Sequence, residues 1–190
     1  MSSFLFPMAG HSHWAGIKHK KELTDKKRGR IFSKLLSAIT AAAKTEANPE
    51  FNPRLRTAIE KARASKVPAE NIERATKRAS EVVGGLEELV FEAYGPSGAA
   101  LIIDAITDNR NRTVAEVKKI MSDHEARWAE RGSVRWAFEA TPSGAWKAKF
   151  PQKISEEDNK KLAVLIESLL DHNDTQRVVT NVVGMELTEE

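Results

Sequence analysis

The sequence predicts an α+β fold: a basic arm and a three-helix bundle, then an α/β sandwich of about four strands and two helices. Three observations carry this. Apolar residues recur at helical spacing between Ile31 and Ala79, and beyond Gly84-Gly85 the period becomes strand-like. Charge divides along the same line, because residues 1–80 hold 17 Lys/Arg against 7 Asp/Glu and residues 81–190 hold 13 against 20. A basic half joined to an acidic half points to a polyanionic partner for the first; uneven surface decoration is the bland alternative.

Residues 1–7 read as a disordered extension, 8–83 as a basic helical domain and 84–190 as an α/β domain. Residues 8–30 crowd basic side chains with few apolar anchors and read as an irregular arm. Ile31, Phe32, Leu35, Leu36, Ile39 and Ala43 then mark an amphipathic helix that fades at Asn48-Pro49. Asn52-Pro53 is a cap and first-turn pair for a second helix, with Leu55, Ala58, Ile59 and Ala62 on one stripe. After Val67-Pro68, Ile72, Ala75 and Ala79 mark a third. Leu89–Tyr94 and Ala99–Thr107 read as strands joined by a turn at Gly95-Pro96-Ser97-Gly98. Thr113 and Glu116 suggest a capping box for a helix buried through Val114, Val117, Ile120 and Met121. Ser133–Phe138 alternates like a third strand, with Val134, Trp136 and Phe138 on one face. Residues 139–153 read as a loop with at most a short strand around Trp146–Phe150. Ser155 caps a helix striped by Leu162, Leu165, Ile166, Leu169 and Leu170, and Gln176–Val183 is a last strand. Both helices should pack on one face of the sheet.

The chain has 190 residues, 41% of them hydrophobic and 30% charged. It lacks cysteine, which excludes disulfides, thiolate zinc sites and a cysteine nucleophile. No apolar run reaches membrane-spanning length, and the first seven residues do not resemble a secretory or Arg-rich transit segment. A cytoplasmic monomer with no cofactor is expected.

Met8-Ala9-Gly10-His11-Ser12-His13-Trp14-Ala15-Gly16-Ile17-Lys18-His19-Lys20 closely resembles the opening of YebC/PmpR proteins. Lys27–Leu35, Asn52–Ala62 and, most distinctively, Thr107-Asp108-Asn109-Arg110-Asn111-Arg112-Thr113-Val114-Ala115-Glu116-Val117 resemble three further blocks of that family. The resemblance covers Met8–Phe138 and resumes more weakly from about Lys160 to Asn181. It implies a helical domain followed by an α/β domain, and a role in gene expression. Bacterial members are described as DNA-binding transcriptional regulators; the mitochondrial relative is a translational activator, and bacterial relatives are linked to ribosomes stalled on proline-rich stretches. The chain departs from the family pattern where a further α/β domain is usual, since only residues 139–153 stand there.

The candidate contacts to nucleic acid are His11, His13, Trp14, Lys18, His19, Lys20, Lys21, Lys26, Lys27, Arg28, Arg30, Lys34, Arg54, Arg56, Arg110 and Arg112. Lys and Arg near phosphates release condensed counterions and add salt-sensitive affinity. Trp14 and the histidines suit stacking on unpaired bases; Trp14 as a plug against the bundle and the lysines as a solvated face are the lesser alternative. Asp108–Arg112 lies between a strand end and a helix N-terminus, where two arginines could hold a phosphate. Alternatively Asp108 and Asn109 build the turn while Arg110 and Arg112 bridge the two domains. Glu87, Glu88, Glu92, Glu156, Glu157, Asp158, Asp171, Asp174, Glu189 and Glu190 read mostly as solvated surface. His11, His13 and His19 lack a carboxylate at supporting spacing, so no metal site is expected, and a metal-dependent nuclease is the weakest reading. Ribosomal RNA is the preferred partner and duplex DNA the alternative, with no catalysis.

Overall fold

The computed structural model describes residues 11–81, 85–141 and 146–185, with side chains at 25–79, 85–141 and 146–185. The extension expected over residues 1–7 lies outside them. Helices α1 (His11–Ala43), α2 (Pro53–Ala64) and α3 (Ala69–Glu81) come first. The irregular arm expected over residues 8–30 is corrected from His11 onward, because α1 is one helix of 33 residues. No proline interrupts it, and its Lys, Arg, Ala, Leu and Glu are good helix formers. Polarity alone made this stretch look unstructured.

Asn52 joins α1 to α2. Its Oδ1 accepts the Leu55 N–H at 3.0 Å, as the sequence suggested, while its Nδ2 donates to the carbonyls of Ala42 and Glu46 at 2.8 and 2.7 Å. One buried amide therefore caps the start of one helix and the end of another. Ile39, Ala42, Leu55, Ala62, Val67, Ile72 and Ala75 form the small core between the three helices.

Strands β1 (Glu87–Tyr94) and β2 (Ala100–Thr107) form a hairpin, followed by α4 (Arg110–Asp123) and β3 (Arg127–Ala129). A two-stranded ribbon of β4 (Phe138–Ala140) and β5 (Trp146–Ala148) precedes α5 (Glu156–Leu170) and β6 (Thr175–Thr180). The main sheet has the antiparallel order β3-β1-β2-β6. Leu89, Phe91 and Ala93 of β1 and Leu101 and Ile103 of β2 meet Val117 and Met121 of α4 and Leu162, Leu165, Ile166 and Leu169 of α5. Both helices thus cover one face, as expected. At the hairpin turn a side chain on Gly95 would lie 3.1 Å from Leu162 and 3.3 Å from Leu101, which explains the glycine.

Two local expectations are corrected. The third strand of the sheet is Arg127–Ala129, and Ser133–Phe138 instead leads through a 3₁₀ turn at Arg135–Ala137 into β4. The cause is Glu92, only 3% exposed on the face of β1 opposite the helices. Its carboxylate accepts the backbone N–H groups of Gly132 and Val134 at 2.7 Å each and of Arg135 at 3.2 Å, donors that a strand would need for its own pairing. Val134, Ala137 and Phe138 turn inward with Ala100 and Ile102, and Trp136 is turned out. The cap of α4 is Asn109, whose Oδ1 accepts the Arg112 N–H at 3.1 Å; Thr113 faces inward and serves another purpose.

Candidate nucleic-acid interface

Helix α1 rises about 50 Å over its 33 residues. Of the candidates on it, His11, His13, Trp14, Lys18, His19, Lys20 and Lys21 occupy its N-terminal part, and their side chains lie outside those described. Lys26, Lys27 and Arg28 are exposed. Their only ion pair among the described residues joins Arg28 to Asp25 at 3.7 Å, both well exposed, a contact too screened to neutralise the patch.

Arg30 and Lys34, further along α1, face the sheet half instead. Arg30 donates to the Asp171 carbonyl at 2.8 Å and lies 3.2 Å from its carboxylate. Lys34, 5% exposed, donates to the Leu170 carbonyl. Both acceptors terminate α5, where free carbonyls and the helix dipole favour cations. These two side chains latch the halves together. Replacing both by Ala is expected to cost about 2 kcal/mol and to raise amide exchange at the end of α5; unchanged exchange there would refute the latch.

The other candidates are also held. Arg54 pairs with Glu88 at 2.7 Å, a second link between halves. Arg56 donates to the carbonyls of Pro49 and Glu50 at 3.2 and 2.9 Å, stapling the α1–α2 loop. Arg110 pairs with Glu87 at 2.6 Å, and Arg112 lies 2.8 Å from Asp174, 3.0 Å from Asp108 and 3.9 Å from Glu116. All four carboxylates beside Arg110 and Arg112 belong to the sheet half. Sequence reasoning left out Lys44, Arg74 and Arg78, which with Arg112, Asp108 and Asp174 line a cleft of about 520 Å³ where α1 and α3 meet the sheet. Arg74 and Arg78 fall at helical spacing opposite the apolar stripe of α3, a signal that was available.

The Thr107–Thr113 block is a knot at the sheet end. The Thr113 hydroxyl lies 2.6 Å from Asp174 Oδ2, 2.8 Å from Thr107 Oγ1 and 3.1 Å from the Asn109 carbonyl. Its single proton serves the carboxylate, the closest and only charged acceptor. Burial, the largest influence on Asp174, raises its pKa, but hydrogen bonds from Thr113, Arg112 and Thr107 and the Arg112 charge outweigh it. The carboxyl titrates below its ordinary value. Asp174 therefore ties β2, α4 and β6 together.

Glu116, His172 and Asp174 bring three ligand-type atoms within 4.8 Å of one another. His172 has both ring nitrogens engaged: Nδ1 accepts the Asp174 N–H at 3.2 Å, and Nε2 faces Glu116 at 2.8 Å. That leaves no lone pair for a metal, and the geometry is that of a structural bridge. Among the described residues no helix is long and apolar enough to cross a membrane.

The family model of the TACO1/YebC protein N-terminal domain matches residues 12–82, and that of the TACO1/YebC second and third domain matches residues 86–143. A probable transcriptional regulatory protein of Chloroherpeton thalassium is 54% identical over 135 residues, 70% of this chain and 54% of the relative. One from Chlorobium luteolum is 44% identical over 186 residues, 94% of this chain and 73% of the relative. The chain spans little more than half the length of several of the curated relatives it matches. The crystal structure of the conserved hypothetical protein Aq1575 from Aquifex aeolicus superposes with a TM-score of 0.76 at 32% identity, covering 90% of this chain and 96% of that one. With two family models on consecutive segments and identities of this size, the chain belongs to the TACO1/YebC family, also called YebC/PmpR.

Proposed function

We propose that the protein is a nucleic-acid-binding gene-expression factor without catalytic chemistry, and that it acts on translation by docking its basic helices on ribosomal RNA. The observation that carries this reading is the exposed cluster of Lys26, Lys27 and Arg28 on a long helix, with one weak carboxylate neighbour at 3.7 Å. Cations fanned around one stretch of a helix suit a phosphate backbone of irregular shape, and they bind through counterion release. His11, His13, Trp14, Lys18, His19, Lys20 and Lys21 extend the same helix, and Trp14 and the histidines would supply stacking on unpaired bases. The regulatory names of the relatives support a role in gene expression. Arg30 and Lys34 serve this function indirectly, by fixing α1 against the sheet half.

One observation favours duplex DNA as a second reading. Only residues 65–68 separate α2 from α3, Lys66 adopts a positive φ of 60° in that turn, and α3 exposes Arg74, Lys77 and Arg78. A short helix-turn-helix with a basic second helix is a form in which proteins enter the major groove.

The test is co-sedimentation with ribosomes across a salt series, beside duplex-DNA binding at matched ionic strength. Lys26→Ala/Lys27→Ala/Arg28→Ala should weaken ribosome binding and reduce the slope of log affinity against log salt by about 2. Ribosome affinity and slope unchanged in that variant would overturn the proposal. Tight, sequence-dependent DNA binding lost on replacing Arg74 and Arg78 would establish the second reading.

A further inference from the structure

The sheet half is acidic overall, yet residues 127–153 carry six Lys/Arg against two Asp/Glu. Within this basic segment two aromatic rings face solvent: Trp136 is 59% exposed and Phe150 50% exposed. Large apolar rings left outside a folded core are informative when they cluster, and these two touch, with centroids 5.7 Å apart at 41°. They are also fixed in place. The Trp136 indole N–H donates to the Ser133 carbonyl at 2.8 Å, within the turn that Glu92 gathers. The backbone of Lys149 donates to the Ala137 carbonyl at 2.8 Å, which holds Phe150 beside it. Lys149 carries its ammonium 5.4 Å from the Phe150 ring centroid, and among the described residues no carboxylate pairs with it.

The combination of rigid exposed rings with an unpaired lysine beside them matches the stacking platforms that hold unpaired nucleotides. We propose that Trp136 and Phe150 form a second nucleic-acid contact that stacks the bases of a single-stranded segment, with Lys149 on its phosphates. The inference rests on the nucleic-acid reading above, and it adds a site in the sheet half remote in sequence from the basic helices. Stacking requires a free base face, so duplexes are poor ligands for it.

The experiment measures binding of fluorescein-labelled oligo(U), oligo(dT) and a mixed-sequence duplex by anisotropy at matched ionic strength. The full chain is compared with Trp136→Ala, Phe150→Ala, Trp136→Phe, Lys149→Glu and the triple alanine variant of α1. Each aromatic-to-Ala change should weaken single-strand binding about tenfold and leave duplex binding unchanged. Trp136→Phe should recover most of the loss. Lys149→Glu should flatten the salt dependence, which the aromatic variants leave intact. The difference between oligo(U) and oligo(dT) states whether the site prefers RNA. Phe150→Ala removes a ring that lies largely in solvent, so it tests the site even if Trp136→Ala disturbs the turn.

Unchanged single-strand affinity in both alanine variants, with loss in the α1 variant, overturns this inference and leaves the proposed function standing. The reverse pattern upholds the platform and removes the α1 reading. A concentration-dependent dimer abolished by Trp136→Ala, with oligonucleotide affinity unchanged, also overturns the inference and assigns the surface to a second copy of the chain.

Discussion

Glu92→Ala is expected to lower stability by about 3–5 kcal/mol, the cost of breaking a buried charged network, and the melting temperature by about 10 °C. The carboxylate is 3% exposed and accepts three backbone N–H groups, from Gly132, Val134 and Arg135. Its Oε1 also lies 3.5 Å from the Arg135 guanidinium. Alanine would strand these donors away from water and open a void beneath the turn. Gly132 adopts a φ of +92° there, a conformation glycine reaches without the steric cost that a side chain would add. Glu92→Gln keeps the shape and one acceptor oxygen, so its loss should be smaller, about 1–2 kcal/mol. Thermal unfolding of the three proteins followed by circular dichroism decides the matter, and a loss below about 1 kcal/mol for the alanine variant would show that the loop is not organised by Glu92. The same substitution should weaken single-strand binding, because Trp136 hangs from this turn.

What could be read from sequence and what could not differ in the range of the interactions involved. Helix α5 was legible because its cap, Ser155, and its Leu162–Leu170 stripe are contiguous in sequence, and the Ser155 hydroxyl does accept the Asp158 N–H at 3.1 Å. The hairpin was legible because its turn residues are contiguous. Strand β3 was not, since three residues, Arg127–Ala129, pair with Glu92–Tyr94 far back in the chain. The Ser133–Phe138 alternation was genuine, but a carboxylate some 40 residues earlier consumed the donors a strand requires. Cations of the candidate site were visible as a composition; which remain available was set by partners elsewhere. Arg54 meets Glu88, and Arg30 meets Asp171 across 141 positions. The acidic residues of the second half read as solvated surface for the same reason, although Glu87, Glu88, Asp171 and Asp174 each hold an arginine. The most distinctive block, Thr107–Val117, is where motif and fold coincide: Asn109 caps, Thr107 and Thr113 share a hydroxyl contact, and Arg112 closes on Asp174. Much of that motif is accounted for by holding β2, α4 and β6 in register.

Asp174→Ala tests that account through pH as well as stability. At pH 7 the substitution should cost about 2–3 kcal/mol, because Thr113 and Arg112 lose a charged acceptor at 2.6 and 2.8 Å. The cost falls below that of a fully buried pair because the Arg112 side chain is 43% exposed and its charge is screened. The pKa of Asp174 in the folded protein lies below its ordinary value. Its ionic contribution is therefore complete above the unfolded-state pKa, about 3.9, and is lost as the pH falls through the folded-state value. Urea unfolding of the wild type and of Asp174→Asn, which keeps the shape without the charge, should show curves that are well separated at pH 7 and converge in strong acid. A separation that persisted unchanged into strong acid would assign the effect to packing and neutral hydrogen bonds. Protonation of Asp174 would then leave the junction of β2, α4 and β6 intact.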